Sequence, residues 1–482
     1  MNIPDYILDI SHRLQESGFE AYIVGGCVRD ILMSRVPKDW DITTNARPEQ
    51  ILEIFPEGKY ENSFGTVLLP VRLSGEAKAK PDDLVEITTY RSEQGYSDRR
   101  HPDTVNFETE LDKDLERRDF TINALAFNPS KPDDLVDLFG GEKDIKAKII
   151  RAVGEPSDRF KEDALRMLRA VRFSAQLGFS LEPKTQRAIV KLAGSLKFVS
   201  PERIRDELVK IMASDRPAMG ISLLHDTKLL QYILPELEQG VGVRQDRHHI
   251  YTVFKHNLLS LENCPNSEWP VRFAALLHDI GKPKTRKIID GIATFYNHEY
   301  VGAKMVDRIM LRLKFPNEQR ERVVNLVKNH MFYYNVGEVT AASVRRLIVK
   351  VGQQNLKDLI DLRIADRLGS GTPKAKPYKL RHLEYMMEKV QNDPVSVKML
   401  SLKGDDIIKL LNIVPGPKIG AILDVLLSEV IEDPDLNKKD RLAKRAKELG
   451  KLELADLRNK AKAIIEEKRE EDDRQIKRQF KV

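Results

Sequence analysis

Two aspartates separated by one tryptophan, Asp39 and Asp41 in VPKDWDITTN, are the first residues of this chain whose type and spacing point to chemistry. On a β-strand, residues i and i+2 project to the same face. The spacing therefore predicts paired carboxylates on one side, with Trp40 and Ile42 packed on the other. Two adjacent uncompensated carboxylates repel, and a divalent cation between them removes the repulsion. Mg²⁺ suits the pair, since it takes one or two carboxylates and completes its shell with water and substrate phosphates. Upstream, Gly25 and Gly26 end the strand-like run YIVGG and lead into CVRDILM, where small residues let a triphosphate approach the N–H groups of a starting helix. Downstream, Glu86 in the apolar run LVEITTYR is the expected third carboxylate of a two-metal centre. A bare D-x-D also fits a solvated strand edge, so the segments that accompany it decide.

Two of those segments carry complementary groups. In RRDFTINA, Arg117 and Arg118 are cations suited to phosphate, and Asp119 can accept a hydrogen bond from a ribose hydroxyl. In EDALR, Asp163 and Arg166 are three apart on a predicted helix and share a face. Cytosine and adenine each present an amino donor beside a ring-nitrogen acceptor, which an aspartate next to an arginine matches. Guanine and uracil present the opposite polarity and would leave buried groups unpaired, at a cost on the order of a few kcal/mol. An isolated E-D-x-x-R equally describes an ordinary helix ion pair.

A second constellation lies further along. Seven of the ten histidines fall between residues 225 and 330. His256, the doublet His278-Asp279, His298, His330 and the distal Asp366 make a metal site the expected reading of this stretch. Imidazole with carboxylate suits Mn, Fe, Ni or Zn. His225, His248, His249 and His382 are expected to be structural.

The elements that must position these groups fall into two kinds. Residues 1–150 mix short β-rich runs with helical stretches, as an α/β or α+β head would. From DRFKEDALRMLRAVRF onward, apolar residues recur at spacings of three and four, predicting an all-α body and tail. Breaks rich in Gly, Pro and Lys divide this body into 151–240, 241–370 and 371–482. The last 45 or so residues interleave charges and are expected to be a solvated helix fraying into a disordered tail. At 482 residues the chain is too long for one core, and 41% hydrophobic with 32% charged residues excludes a wholly disordered chain. No apolar run reaches the roughly 18 residues needed to span a bilayer. The N-terminus reads as an amphipathic helix rather than a secretory signal, and two distant cysteines fit a reducing compartment, so the cytoplasm is expected. With 80 Lys and Arg against 74 acids, the net charge of +6 permits a polyanionic ligand without demanding one.

Taken in order, GGCVRD…DWDITT, RRDFTINALAFNP, DLFGG, RFKEDALRMLRAVRF and PERIRDEL resemble the class II tRNA nucleotidyltransferases and bacterial poly(A) polymerases over roughly the first 210 residues. The resemblance implies a polymerase-β-like nucleotidyltransferase head in which Asp39 and Asp41 bind Mg²⁺. It also implies a nucleotide site formed by Gly25, Gly26, Arg29, Arg118, Asp119, Asn123, Asp163 and Arg166, with Asp119 selecting the ribose. RSEQGYSDRRHPDTVNF, residues 91–107, resembles the flexible loop of enzymes that add both C and A. The histidine constellation resembles the HD phosphohydrolase superfamily, which implies His256, His278, Asp279 and Asp366 as one metal-ligand set, His298 and His330 in support of a second ion, and trimming of a damaged 3′ phosphate as the expected task. Near the C-terminus, Lys418, Lys438, Lys439 and Arg441 fall in segments that resemble the tRNA-gripping tail of the bacterial enzymes. The expected activity is template-independent addition of the 3′ C-C-A of tRNA from CTP and ATP. Three alternatives stay open: a partial enzyme adding only C-C or only A, a poly(A) polymerase, and an HD hydrolase with an RNA-binding head.

Overall fold

The computed structural model describes residues 3–60, 65–71, 84–95, 104–131, 134–246, 250–335, 340–372, 375–390 and 393–460. They form two compact units, residues 1–235 and 236–482.

The first unit is built on a seven-stranded sheet. Its strands are β1 (Tyr22–Val24), β2 (Asp41–Thr44), β3 (Lys59–Tyr60), β4 (Thr66–Pro70) and β5 (Leu84–Thr89). A hairpin of β6 (Arg91–Gln94) and β7 (Thr104–Phe107) pairs apart from that sheet, which β8 (Ala126–Phe127) and β9 (Leu135–Val136) complete in the order β3-β4-β5-β2-β1-β8-β9. β2 is central and its Ile42, Thr43 and Thr44 are fully buried, as expected of a strand covered on both sides. It runs parallel to β5 and antiparallel to β1. In β5 the burial alternates: Val85, Ile87 and Thr89 point inward while Glu86 is exposed. Pro70, which has no N–H for a ladder, ends β4. The centre of the expected C-and-A loop, residues 96–103, lies outside the described residues.

The helices that follow are ended by the punctuation the sequence carries. Leu165–Leu177 stops at Gly178 in the left-handed conformation, and Pro183–Leu192 and Pro201–Met212 each open on proline.

The second unit is mostly helical, with one departure from the expected all-α body. Lys287–Ile289 and Ile292–Thr294 form an antiparallel hairpin, with Asp290-Gly291 making the two-residue turn that this dipeptide favours. A second correction concerns the C-terminal end. Lys439–Leu449 is no solvated helix, because Leu442, Ala446 and Leu449 recur on one face and are buried against Ile422 and Leu426 of the helix Pro417–Glu432. Residues 461–482 lie outside the described residues. No described helix is long and apolar enough to cross a membrane.

Candidate functional site

The strand carrying the acidic pair starts one step later than expected. Asp41 is the first residue of β2, while Asp39 sits in an exposed bend before it. Trp40 and Ile42 are buried, as the alternation requires. Asp41 pairs in register with Glu86 across the parallel β2–β5 ladder, which directs both side chains to one face of the sheet. Burial raises the Asp41 pKa above the usual carboxylate range; Arg118 opposes the shift and Asp39 adds to it. A desolvated carboxylate beside two more acids fits a divalent cation, which favours the charged form that burial disfavours.

Gly25 closes the other side. Its φ of +84° is a conformation that side chains rarely adopt, and a Cβ there would lie 3.0 Å from Arg118 Nη1 and 3.6 Å from Asp41 Oδ2. The glycine thus lets the backbone approach the acid and the cation together, at the start of the helix Gly26–Leu32. Gly25→Ala is expected to strain the backbone by about 1–2 kcal/mol and weaken binding of a nucleoside triphosphate about tenfold, with far-UV circular dichroism unchanged.

The expected nucleotide residues form a hydrogen-bonded chain. Arg29 Nη1 donates to Asn123 Oδ1 at 2.7 Å, and Asn123 Nδ2 donates to Asp119 Oδ1 at 3.1 Å. Arg169 Nε donates to Asp119 Oδ2 at 2.7 Å. Burial pushes the Asp119 carboxyl up, but Arg169 and Asn123 outweigh it and hold it below the usual range. Arg169 escaped the sequence reading although it lies in RFKEDALRMLRAVRF, one helical turn beyond Arg166.

Arg117 departs from its expected role. It is pinned between Asp114 Oδ1 at 2.7 Å and Glu93 Oε1 at 3.1 Å, so its charge is spent inside the fold. Arg118 also reaches Asp114, at 3.1 Å, yet its buried Nε has no hydrogen-bond partner among the described residues, which leaves this guanidinium suited to phosphate.

Asp163 and Arg166 do not share the face of one continuous helix. The helix Pro156–Glu162 ends at Asp163, which is extended, and a new helix begins at Leu165. Asp163 is short, and its Oδ1 accepts from the Leu165 N–H at 3.0 Å, the local bond by which aspartate favours helix starts over helix interiors. Arg203 of PERIRDEL donates to Asp163 Oδ2 at 2.6 Å, while Arg166 donates to Glu162 at 2.9 Å and to the Arg117 carbonyl at 3.2 Å. The two residues are therefore held by separate partners. DLFGG is structural: Asp137 accepts from the Gly141 and Glu142 N–H groups at 2.7 and 3.0 Å, and a Cβ on Gly141 would sit 2.3 Å from the Thr121 carbonyl oxygen.

In the second unit, all six expected metal ligands converge. His256, His278 and Asp366 offer ligand atoms within 4.8 Å of one another, as do Asp279, His298 and His330. Asp279 joins the groups rather than belonging to the first alone: Oδ2 lies 3.3 Å from His256 Nε2, and Oδ1 lies 3.2 Å from His298 Nε2. His278, His298 and His330 turn Nδ1 to the carbonyl oxygens of Ala275, Phe295 and Val327 at 2.7–2.8 Å. A carbonyl accepts only from N–H, so Nδ1 carries the proton and the Nε2 lone pair faces inward. His256 and His278 Nε2 are 3.0 Å apart, and those of His298 and His330 are 3.3 Å apart. In the His298–His330 pair both lone pairs face each other, and a proton or a metal ion between them relieves the repulsion. Burial disfavours charge on His278, but Asp279 and Asp366 overcome it and raise its pKa to about 10. A metal ion satisfies the same carboxylates. Lys282, buried, adds a bond of 2.6 Å to Asp279 Oδ2 and donates to Gln245. His382 bonds the Tyr334 hydroxyl, and His248 and His249 lie outside the described residues. Of the tail cations, Lys439 pairs with Asp406 at 2.9 Å.

The chain is similar to known proteins along most of its length. Residues 21–151 match the poly A polymerase head domain, 178–240 the probable RNA and SrmB-binding site of polymerase A, and 263–370 the HD domain. The CCA-adding enzyme of Lactiplantibacillus plantarum is 31% identical over 435 residues, covering 90% of this chain and 93% of that protein. The A-adding tRNA nucleotidyltransferase of Deinococcus radiodurans is 37% identical over 341 residues, covering 67% of this chain and 76% of that one. Among solved structures, the Bacillus stearothermophilus CCA-adding enzyme in complex with CTP superposes with a TM-score of 0.67 at 27% identity, over 93% of this chain and 98% of that one. With identity above 30% along nine-tenths of its length, and with the acidic sheet and the histidine centre both in place, the chain belongs to the tRNA nucleotidyltransferase family of the CCA-adding enzymes, and it carries an HD domain.

Proposed function

We propose that this chain adds C, C and A to the 3′ end of tRNA from CTP and ATP without a template, releasing pyrophosphate. One observation carries the assignment: the register pairing of Asp41 with Glu86, closed on its open side by Gly25 and Arg118. Asp41, Glu86 and the exposed Asp39 would hold Mg²⁺. When bound, divalent ions neutralise charge on the triphosphate and activate the attacking hydroxyl. The protein's own groups do the rest. Arg118 steadies the triphosphate through its unmet donor, and Asp119, ordered by Arg169 and Asn123, receives the ribose hydroxyl. Asp163 accepts from the amino group of cytosine or adenine while Arg166 donates to the neighbouring ring nitrogen. Arg203 and Glu162 fix the two in place. The residues divide accordingly into a head at 1–150, a nucleotide-selecting neck at 151–240, the HD domain at 241–370 and a tRNA-binding tail from 371, where Lys418, Lys438 and Arg441 would contact phosphates. The cytoplasm is the expected compartment, supported by two buried free cysteines.

The test uses tRNA lacking its 3′ C-C-A. CTP alone should add two residues, CTP with ATP three, and ATP alone none. The likeness to the Deinococcus A-adding enzyme favours a second reading, in which only tRNA already ending in C-C is extended, and with ATP. Failure to use CTP would select it.

The HD centre is proposed to bind Mn, Fe or Ni and to act on phosphate esters. The double variant His278→Ala/Asp279→Ala removes the ligand shared by both groups, and metal analysis should show HD-bound metal falling to background. Nucleotide addition should stay within about twofold of wild type, because no head residue is touched.

A further inference from the structure

The helix Leu356–Gly369 supplies Asp366 to the histidine centre, and it also carries Arg363 and Arg367, at i−3 and i+1 from that aspartate. Residues three and four apart on a helix are surface neighbours, so Arg363 stands next to both Asp366 and Arg367. Arg363 Nη1 donates to Asp366 Oδ2 at 2.8 Å, while the other carboxylate oxygen faces His256 at 3.3 Å and His278 at 3.7 Å. Arg363 is further steadied by the Phe332 ring, 5.8 Å from its guanidinium carbon. Arg367 has a buried Nε with no hydrogen-bond partner among the described residues.

Like charges at i, i+4 destabilise a helix, and an unmet buried donor on a charged group is costly. The charges around the centre favour an anion as the missing partner. Asp279, Asp366 and Glu299 are matched by Lys282, Arg363 and Arg367, so every divalent ion bound there makes the site more positive. A planar guanidinium pair beside such a site has the fork geometry that recognises phosphate oxygens.

We propose that Arg363 and Arg367 form a phosphate-binding pair at the edge of the histidine–aspartate centre, holding the anionic group of a phosphate ester against the site. This rests on the HD domain binding metal, and the test keeps the two apart. The full chain carrying Asp39→Ala and Asp41→Ala, which silences the head, is loaded with Mn²⁺, analysed for metal and titrated calorimetrically with inorganic phosphate. Arg367→Gln should keep the metal content and weaken phosphate binding about 10- to 100-fold. Arg367→Lys, retaining charge but not the fork, should fall between. Arg363→Gln should weaken phosphate binding and, by releasing Asp366, also lower metal occupancy. Unchanged phosphate affinity in Arg367→Gln, or no phosphate binding by the metal-loaded parent, overturns the proposal and leaves the metal assignment standing. A parent that takes up no metal at the HD centre overturns both.

Discussion

Asp41→Ala is expected to lower the rate of nucleotide addition about 10³-fold or more, equivalent to about 4 kcal/mol of transition-state stabilisation. The loss should fall on kcat, since Asp41 would hold the divalent ion that offsets charge developing as the phosphoryl group transfers, whereas tRNA affinity should hardly change. The same variant should fold as well as wild type. Burial raises the Asp41 pKa, so the native state takes up a proton more readily than the unfolded chain. Stability from this group therefore declines as pH rises through the interval above the unfolded carboxyl value of about 3.9. At neutral pH without metal the carboxylate is a burden on the fold, and its removal is neutral or mildly stabilising. Urea unfolding beside single-turnover addition of CTP separates the two effects. A dead and destabilised variant would mean that Asp41 is a structural anchor.

Asp114→Ala should behave in the opposite way, costing about 3–5 kcal/mol of stability because it strands two guanidinium groups. Asp114 is fully buried, accepts from Arg117 at 2.7 Å and Arg118 at 3.1 Å, and approaches Thr43 Oγ1 at 3.4 Å. Burial alone would push its carboxyl up, but the two arginines outweigh burial and depress it. The sign follows: its contribution is complete above the unfolded value of about 3.9 and is lost as pH falls through the lower folded value. Acid unfolding of wild type should show this loss, and Asp114→Asn should not. Because Arg118 loses its anchor, nucleotide addition should weaken in Asp114→Asn even where the protein remains folded.

The site was legible in the sequence wherever chemistry depends on neighbours along the chain. Asp39-Trp40-Asp41, the glycine pair and His278-Asp279 carry their meaning in spacings of one or two residues, and the structure brings each group together. What stayed hidden depends on packing between distant segments. Arg203 reaches Asp163 across 40 residues and Arg169 reaches Asp119 across 50, and no periodicity encodes such a pair. Arg117 and Arg118 are adjacent and chemically identical, yet Asp114 and Glu93 together absorb the first, whereas the second bonds Asp114 alone and keeps a buried Nε without a partner among the described residues. The break at Asp163 was masked because the apolar spacing of three and four continues through it. In the C-terminal helix, dense surface charge concealed the narrow stripe of Leu442, Ala446 and Leu449.

At the centre of the sheet, the carboxylates at the start of β2 and on β5 would hold the catalytic cations. Anomalous diffraction from crystals soaked with Mn²⁺ and CTP tests this assignment most directly. The account predicts Mn²⁺ density about 2.0–2.3 Å from the oxygens of Asp39 and Asp41, shared with the triphosphate and with Glu86 alongside. Triphosphate bound elsewhere, with these oxygens facing bulk water and no anomalous peak beside them, would contradict it.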